Sequence, residues 1–177
     1  MILIYTGNGK GKTSAAMGNV FRALGHGMKV LVIQFFKGDW PIVFGEMESA
    51  KKHKNLEFLQ LGKGFVKIMN DKKPFSAHKA AALAALEVAE KKIRTKKYSL
   101  VVLDEVIYAL DYQGAAGMIP LAGLLKLLKK TPSSTHVVLT GRNAHKKLIE
   151  LADLATEMKE VKHPFQKGAP AMKGIDY

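Results

Sequence analysis

The stretch Thr6-Gly7-Asn8-Gly9-Lys10-Gly11-Lys12-Thr13 decides the fold. Before it runs Met1-Ile2-Leu3-Ile4-Tyr5, an apolar segment that reads as a buried strand; after it, Ser14-Ala15-Ala16-Met17 opens a helix. A strand, a glycine loop and a helix start in that order form a phosphate-binding loop. Glycines let successive backbone N–H groups turn toward one centre, and the helix N-terminus adds partial positive charge. Lys12 then reaches phosphate as a point charge, and the Thr13 hydroxyl is placed to ligate Mg²⁺. The first glycine of the usual pattern is replaced by Thr6, so the motif is a variant. A dinucleotide-binding G-x-G-x-x-G starting at Gly7 fails because Lys12 stands where glycine is required. A plain connecting turn would have no need of Gly-Lys-Thr at the helix start.

The chain has 177 residues, enough for one domain with a proper core. It contains no cysteine, which excludes disulfides and thiolate metal sites and fits a cytoplasmic location. No apolar run approaches membrane-spanning length, and no basic leader with a cleavage site is evident, so neither membrane insertion nor secretion is expected. The formal charge is +13, but only Arg22, Arg94 and Arg142 are arginines. Lysine pairs such as Lys51-Lys52, Lys91-Lys92 and Lys129-Lys130 are spread along the chain rather than gathered in one arm. Base readout leans on arginine forks and polar amides, so a solvated basic surface is expected, with no nucleic-acid partner.

Further strands are expected at 29–35, 56–61, 98–104, 136–140 and 157–161. The continuous β-branched run at 29–35 suits a strand covered on both faces, and the alternation at 56–61 suits a less buried one. Helices are expected from Pro74 and Ser76 to about Thr95, with Leu83, Leu86, Glu90 and Ile93 at near-heptad spacing, then over 121–128 and 144–151. The predicted fold class is α/β: a single-domain, phosphate-loop NTPase-like (RecA-like), mostly parallel sheet with helices on both faces. In such sheets the ligand loops lie at the carboxyl edge of the strands.

Two further elements fall at that edge. Val101-Val102-Leu103-Asp104-Glu105 is an apolar strand ending in two carboxylates, hard oxygen donors suited to Mg²⁺ opposite Thr13. Thr140-Gly141-Arg142 ends another strand, and the planar fork of Arg142 suits phosphate oxygens. His145 reads as a helix-start residue.

Together, Gly7-Asn8-Gly9-Lys10-Gly11-Lys12-Thr13, Leu103-Asp104-Glu105, Thr140-Gly141-Arg142 and Gly174-Ile175-Asp176-Tyr177 resemble the phosphate-loop type of ATP:corrinoid adenosyltransferases. Leu151-Ala152-Asp153, Val161-Lys162-His163 and Gln34-Phe35-Phe36-Lys37-Gly38-Asp39-Trp40-Pro41 agree. The resemblance implies transfer of the 5′-deoxyadenosyl group of ATP to cobalt(I) of a corrinoid, with release of triphosphate. It also implies an ATP site at Gly7, Asn8, Gly9, Lys10, Gly11, Lys12, Thr13, Ser14 and Arg142, with the nucleotide reversed in the loop. Lys12, Thr13, Glu105 and Arg142 would act on the reacting phosphate chain, and Thr13, Asp104 and Glu105 on Mg²⁺. Phe65, in Gly62-Lys63-Gly64-Phe65, and Trp40 would lie against the corrin ring, with Tyr108 a possible neighbour. A homodimer and a flavoprotein electron donor are implied as partners. A phosphate-loop ATPase or small-molecule kinase is the alternative, with Glu105 orienting a nucleophile toward the γ-phosphate.

Overall fold

The computed structural model describes residues 1–39, 42–68, 71–112 and 115–177. Strand β1 (Ile2–Thr6) leads through the glycine loop into α1 (Lys12–Gly25). There follow β2 (Val30–Gln34), a short α2 (Gly45–Ala50), β3 (Leu56–Gln60), α3 (Phe75–Arg94) and β4 (Leu100–Asp104). A small hairpin pairs β5 (Asp111–Tyr112) with β6 (Ala115–Ala116), and α4 (Leu121–Lys129), β7 (His136–Thr140), α5 (Lys146–Leu151) and β8 (Leu154–Glu157) complete the series. A single 3₁₀ turn at Pro164–Lys167 follows.

Six strands form one parallel sheet in the order β3-β2-β4-β7-β1-β8. β7 therefore lies between the strand that feeds the glycine loop and the strand that ends in carboxylates. All five residues of β2 and of β4 are buried, as expected of strands covered on both faces. β3, an edge strand, is half-buried throughout, in keeping with its alternating sequence. On one face, Leu31, Ile33, Val101 and Leu103 pack with α3 and α4; on the other, Val30, Val32, Val102 and Val138 pack with α1.

Two expectations are corrected. The last strand is not 157–161 but Leu154–Glu157. The Asp153 carboxylate accepts from the Ile2 N–H at 2.6 Å, and the Asp153 N–H donates to the Ile2 carbonyl at 2.9 Å. This double contact starts the pairing with β1 directly after α5, and the chain turns away at Met158. All four β8 residues are exposed, so the strand has no apolar signature. In α3 the inward stripe is His78, Ala82, Ala85, Ala89 and Ile93, while Leu83 and Leu86 are half-buried and Glu90 is exposed. The alanines on that face are fully enclosed, and the leucines fill the flank.

Full enclosure makes the alanine stripe intolerant of volume. Ala89→Leu, at a fully buried position, is expected to destabilise by about 1–3 kcal/mol in urea unfolding, whereas Glu90→Leu one residue on should stay within about 0.5 kcal/mol of the parent.

Candidate active site at the carboxyl edge of the sheet

Thr6 explains the variant first position of the loop. It is buried at the end of β1, and its hydroxyl accepts from the Ala144 N–H at 3.1 Å, joining the loop to the segment after β7. Gly7 has φ +99°, and a Cβ there would lie 2.4 Å from the Met158 carbonyl oxygen. The Gly9 N–H donates to that same oxygen at 2.7 Å. The loop thus leans on the chain leaving β8, and only glycine permits that approach.

Lys12 is buried, and its ammonium donates to the carbonyls of Gly7 and Gly9, both at 2.9 Å. Two of its three donors brace the loop and the third remains for a ligand. Burial pulls its pKa below the ordinary lysine value, Arg142 acts in the same direction, and Glu105 and Asp104 oppose them. Asn8, Lys10 and Ser14 are exposed around it.

Thr13, on the first turn of α1, donates to Asp104 Oδ1 at 2.9 Å. Asp104 is fully buried. Thr140 of β7 donates to the same oxygen at 2.7 Å, and Gln34 of β2 donates to Oδ2 at 3.0 Å. The Thr140 hydroxyl also accepts from the Glu105 N–H at 2.8 Å. Glu105 has φ +62°, a left-handed backbone that turns it out of line with the strand. Burial, then the charge of Asp104, raises its pKa to about 7, against Lys12, Lys37 and Arg142.

Glu105 lines a cavity of about 490 Å³ together with Lys12, Thr13, Ser14, Lys37 and Glu46. Glu46, on α2, accepts from Lys37 at 3.0 Å and from Gln34 at 3.1 Å, and the Lys37 ammonium sits 4.0 Å from the Phe44 ring centroid. Burial works against ionisation of Glu46, but the charge of Lys37 and the hydrogen bonds to it outweigh this and hold its pKa below the usual range. Sequence reasoning misses Glu46 because α2 is only six residues long, opens at Gly45 and has no motif around it. The cavity is also lined by Gly174, Ile175, Asp176 and Tyr177.

Arg142 is exposed and borders a second cavity of about 280 Å³ with Asn8, Gly9, Lys10, Lys12, His163 and Phe165. It follows Gly141, where a Cβ would lie 2.6 Å from the Tyr108 nitrogen. His145 caps α5, accepting at Nδ1 from the Lys147 N–H at 3.1 Å. Phe65 is half-buried and stacks on Phe36 with centroids 5.4 Å apart, and Tyr108 meets both rings edge-on. The Phe65 loop is anchored where Asp71 accepts from the Lys67 N–H at 3.1 Å and pairs with His78 Nε2 at 3.0 Å. Trp40 lies outside the described residues.

A glycine loop at β1, a strand inserted before the acidic strand, and threonine bonded to the terminal aspartate define a phosphate-loop NTPase-like protein. Solved structures show the same fold. The flagellar accessory protein FlaH of Methanocaldococcus jannaschii aligns at TM-score 0.55 and 12% identity over 88% of this chain and 69% of its own. A KaiC-like protein of Pyrococcus horikoshii aligns at TM-score 0.53 and 15% identity over 91% and 74%. Sequence comparison is narrower. The family model "ATP:corrinoid adenosyltransferase BtuR/CobO/CobP" matches residues 1–177. A corrinoid adenosyltransferase of Sinorhizobium is 42% identical over all of this chain and 80% of its own length, and one of Escherichia coli K12 is 38% identical over all of this chain and 85% of its own. The chain belongs to the ATP:corrinoid adenosyltransferase family and is a transferase of that class. Among the described residues no helix is long and apolar enough to cross a membrane.

The raised pKa of Glu105 has a consequence for stability. With a folded value of about 7 against an ordinary 4.5, the folded protein binds this proton more tightly than the unfolded chain. Stability from this group is complete below pH 4.5, is lost between 4.5 and 7, and stays lost above. Glu105→Gln should therefore melt above the parent at pH 8, by a few degrees, with the gap narrowing below pH 7 and closing near pH 4.5 in paired thermal scans.

Proposed function

We propose that this chain uses the edge site to transfer the 5′-deoxyadenosyl group of ATP to the cobalt of a reduced corrinoid. The observation that carries the reading is the 2.9 Å bond from Thr13 to Asp104, which ties the phosphate loop to the acidic strand beside a 490 Å³ cavity. The substrate cobalt(I) is itself the nucleophile. Its electron pair forms the cobalt–C5′ bond, the bond from C5′ to the α-phosphate oxygen breaks, and triphosphate leaves with that pair. No protein nucleophile is required, so the residues have to position the reactants and stabilise charge on the leaving phosphates.

The loop N–H groups of Gly7, Asn8, Lys10 and Gly11, the free donor of Lys12, and Arg142 and Ser14 hold the triphosphate, while Gly9, its N–H engaged by the Met158 carbonyl, lets the loop close on the chain beyond β8. Thr13, Asp104 and Glu105 suit Mg²⁺. The donors are hard oxygens, and among the described residues no cluster of three His, Cys, Asp or Glu could cage an ion unaided, which suits a cation that takes one or two carboxylates and completes its shell with water and phosphate. When bound, the ion neutralises negative charge on the leaving group. The three donors on Asp104 leave Glu105 the freer carboxylate toward that ion. Phe65, backed by Phe36 and Tyr108, offers an apolar face that excludes water from one side of the corrin ring, and Trp40 is carried with it as a corrinoid contact. The same reading includes a homodimer, a cytoplasmic setting and a flavoprotein electron donor that docks on the lysine-rich surface.

Anaerobic incubation with Mg-ATP and a chemically reduced corrinoid should yield triphosphate and a light-sensitive alkylated corrinoid; ADP and phosphate with the corrinoid unchanged would instead make this an ATPase or kinase. Lys12→Ala should lower kcat/KM by about 10²–10³.

If Phe65 keeps water from cobalt, Phe65→Ala should slow the reaction by about tenfold when assayed from cobalt(II) with a reductant, and by less than about threefold from pre-reduced cobalt(I). Equal losses in the two assays would reduce Phe65 to a packing residue.

A further inference from the structure

The segment at 172–177 is far from the phosphate loop in sequence, yet it forms one wall of the nucleotide cavity. Lys10 sits at the loop apex between Gly9 and Gly11, and its ammonium makes an ion pair with Asp176 Oδ1. The second carboxylate oxygen accepts from the Met172 N–H at 2.7 Å. The Asp176 N–H donates to the Met172 carbonyl at 2.8 Å, and the Gly174 N–H to the Tyr177 carbonyl at 2.7 Å. The carboxylate is thus held by a closed turn of its own before it meets the lysine, unlike a pairing of two loose surface chains. The same turn reaches across the cavity to α2, where the Tyr177 backbone comes within 3.9 Å of a Cβ built on Gly45. Lys10 hydrogen bonding and the Met172 N–H hold the Asp176 pKa below the ordinary carboxylate value, so it is ionised at neutral pH.

We propose that Asp176 is the positioning residue for Lys10, fixing its ammonium over the phosphate cavity and making the turn at 172–177 part of the triphosphate site. A free lysine must give up rotamer freedom to meet a phosphate. Asp176 engages one of the three ammonium donors and leaves two, so that cost is met in the folded protein beforehand. The proposal rests on the phosphate loop holding a triphosphate, but it needs no adenosyl transfer.

The test is calorimetric binding of Mg-ATP and of inorganic tripolyphosphate to the full chain. Asp176→Asn should weaken both ligands equally, by about three- to tenfold. Lys10→Met should do likewise, and the double variant should be no weaker than Lys10→Met alone. Asp176→Glu should recover part of the loss. The melting temperature of Asp176→Asn without ligand should move by no more than about 4 °C, which separates positioning from unfolding. Unchanged or tighter binding in Asp176→Asn would overturn the proposal, the latter showing a counter-ion that competes with phosphate. So would multiplicative losses in the double variant, or a loss confined to ATP. Failure of adenosyl transfer with these binding results intact would count against the proposed reaction and leave this inference standing.

Discussion

The edge site depends on one buried carboxylate. Asp104 is fully enclosed, and an unpaired charge or bare acid there would be costly. Three donors meet it, from three elements: Thr13 from α1, Thr140 from β7 and Gln34 from β2. The order β2-β4-β7-β1 makes this possible. With β4 flanked by β2 and β7, its terminal side chain is within reach of both neighbours. With β1 one strand further out, the first turn of α1 comes over the top. Each donor fixes a different part of the site. Thr13 sets where the helix begins, Thr140 carries the strain of the left-handed Glu105 through its bond from the Glu105 N–H, and Gln34 passes the order outward to Glu46 and Lys37.

Charge in the site is arranged in opposition rather than in excess. Lys12, Lys37 and Arg142 all act to keep Glu105 ionised, Lys37 does the same for Glu46, and Glu105 and Asp104 in turn favour the charge on Lys12. This balance matters more for function than the +13 of the whole chain. A purely cationic pocket would hold any polyanion tightly in the ground state, which lowers KM without helping the chemical step. Carboxylates matched with lysines give a site whose own charges are largely balanced. Glu105 is the least matched of the acids: burial first, and then the charge of Asp104, lift its pKa to about 7 despite the three cations.

What the residues reveal unaided follows from how local each feature is. The strand, loop and helix at 1–20 are legible because every part lies within one short segment, and so are the buried runs of β2 and β4. Asp104 and Arg142 are legible as strand ends, since parallel sheets gather their loops at one edge. Features set by tertiary contact are not. β8 is four exposed residues of mixed character, Leu-Ala-Thr-Glu, and its register comes from Asp153 meeting Ile2 at the opposite end of the chain. The inward face of α3 belongs to alanines and His78 rather than to the leucines, a choice set by what packs on that face and not expressed by leucine spacing. Glu46 lies on a six-residue helix, and Asp176 acts on a lysine 166 positions away.

The fold alone does not choose the reaction. A phosphate loop stabilises negative charge on a phosphate chain, and two chemistries draw on that field in different ways. In phosphoryl transfer the charge is handled while a phosphorus–oxygen bond breaks. In adenosyl transfer the whole triphosphate is the leaving group, and the field acts on the oxygen released from C5′. The second chemistry places demands on the site that the first does not. It needs an apolar surface beside the nucleotide for a large flat ring, and it has no use for a base to activate a hydroxyl. Phe65 and Tyr108, half-buried over the enclosed Phe36, are the aromatic groups proposed for that surface, drawn from the loop before α3 and the turn after β4. Tyr108 also packs its backbone against Gly141, next to Arg142, so the ring proposed for the corrinoid side and the arginine proposed for the phosphate side are positioned by the same turn.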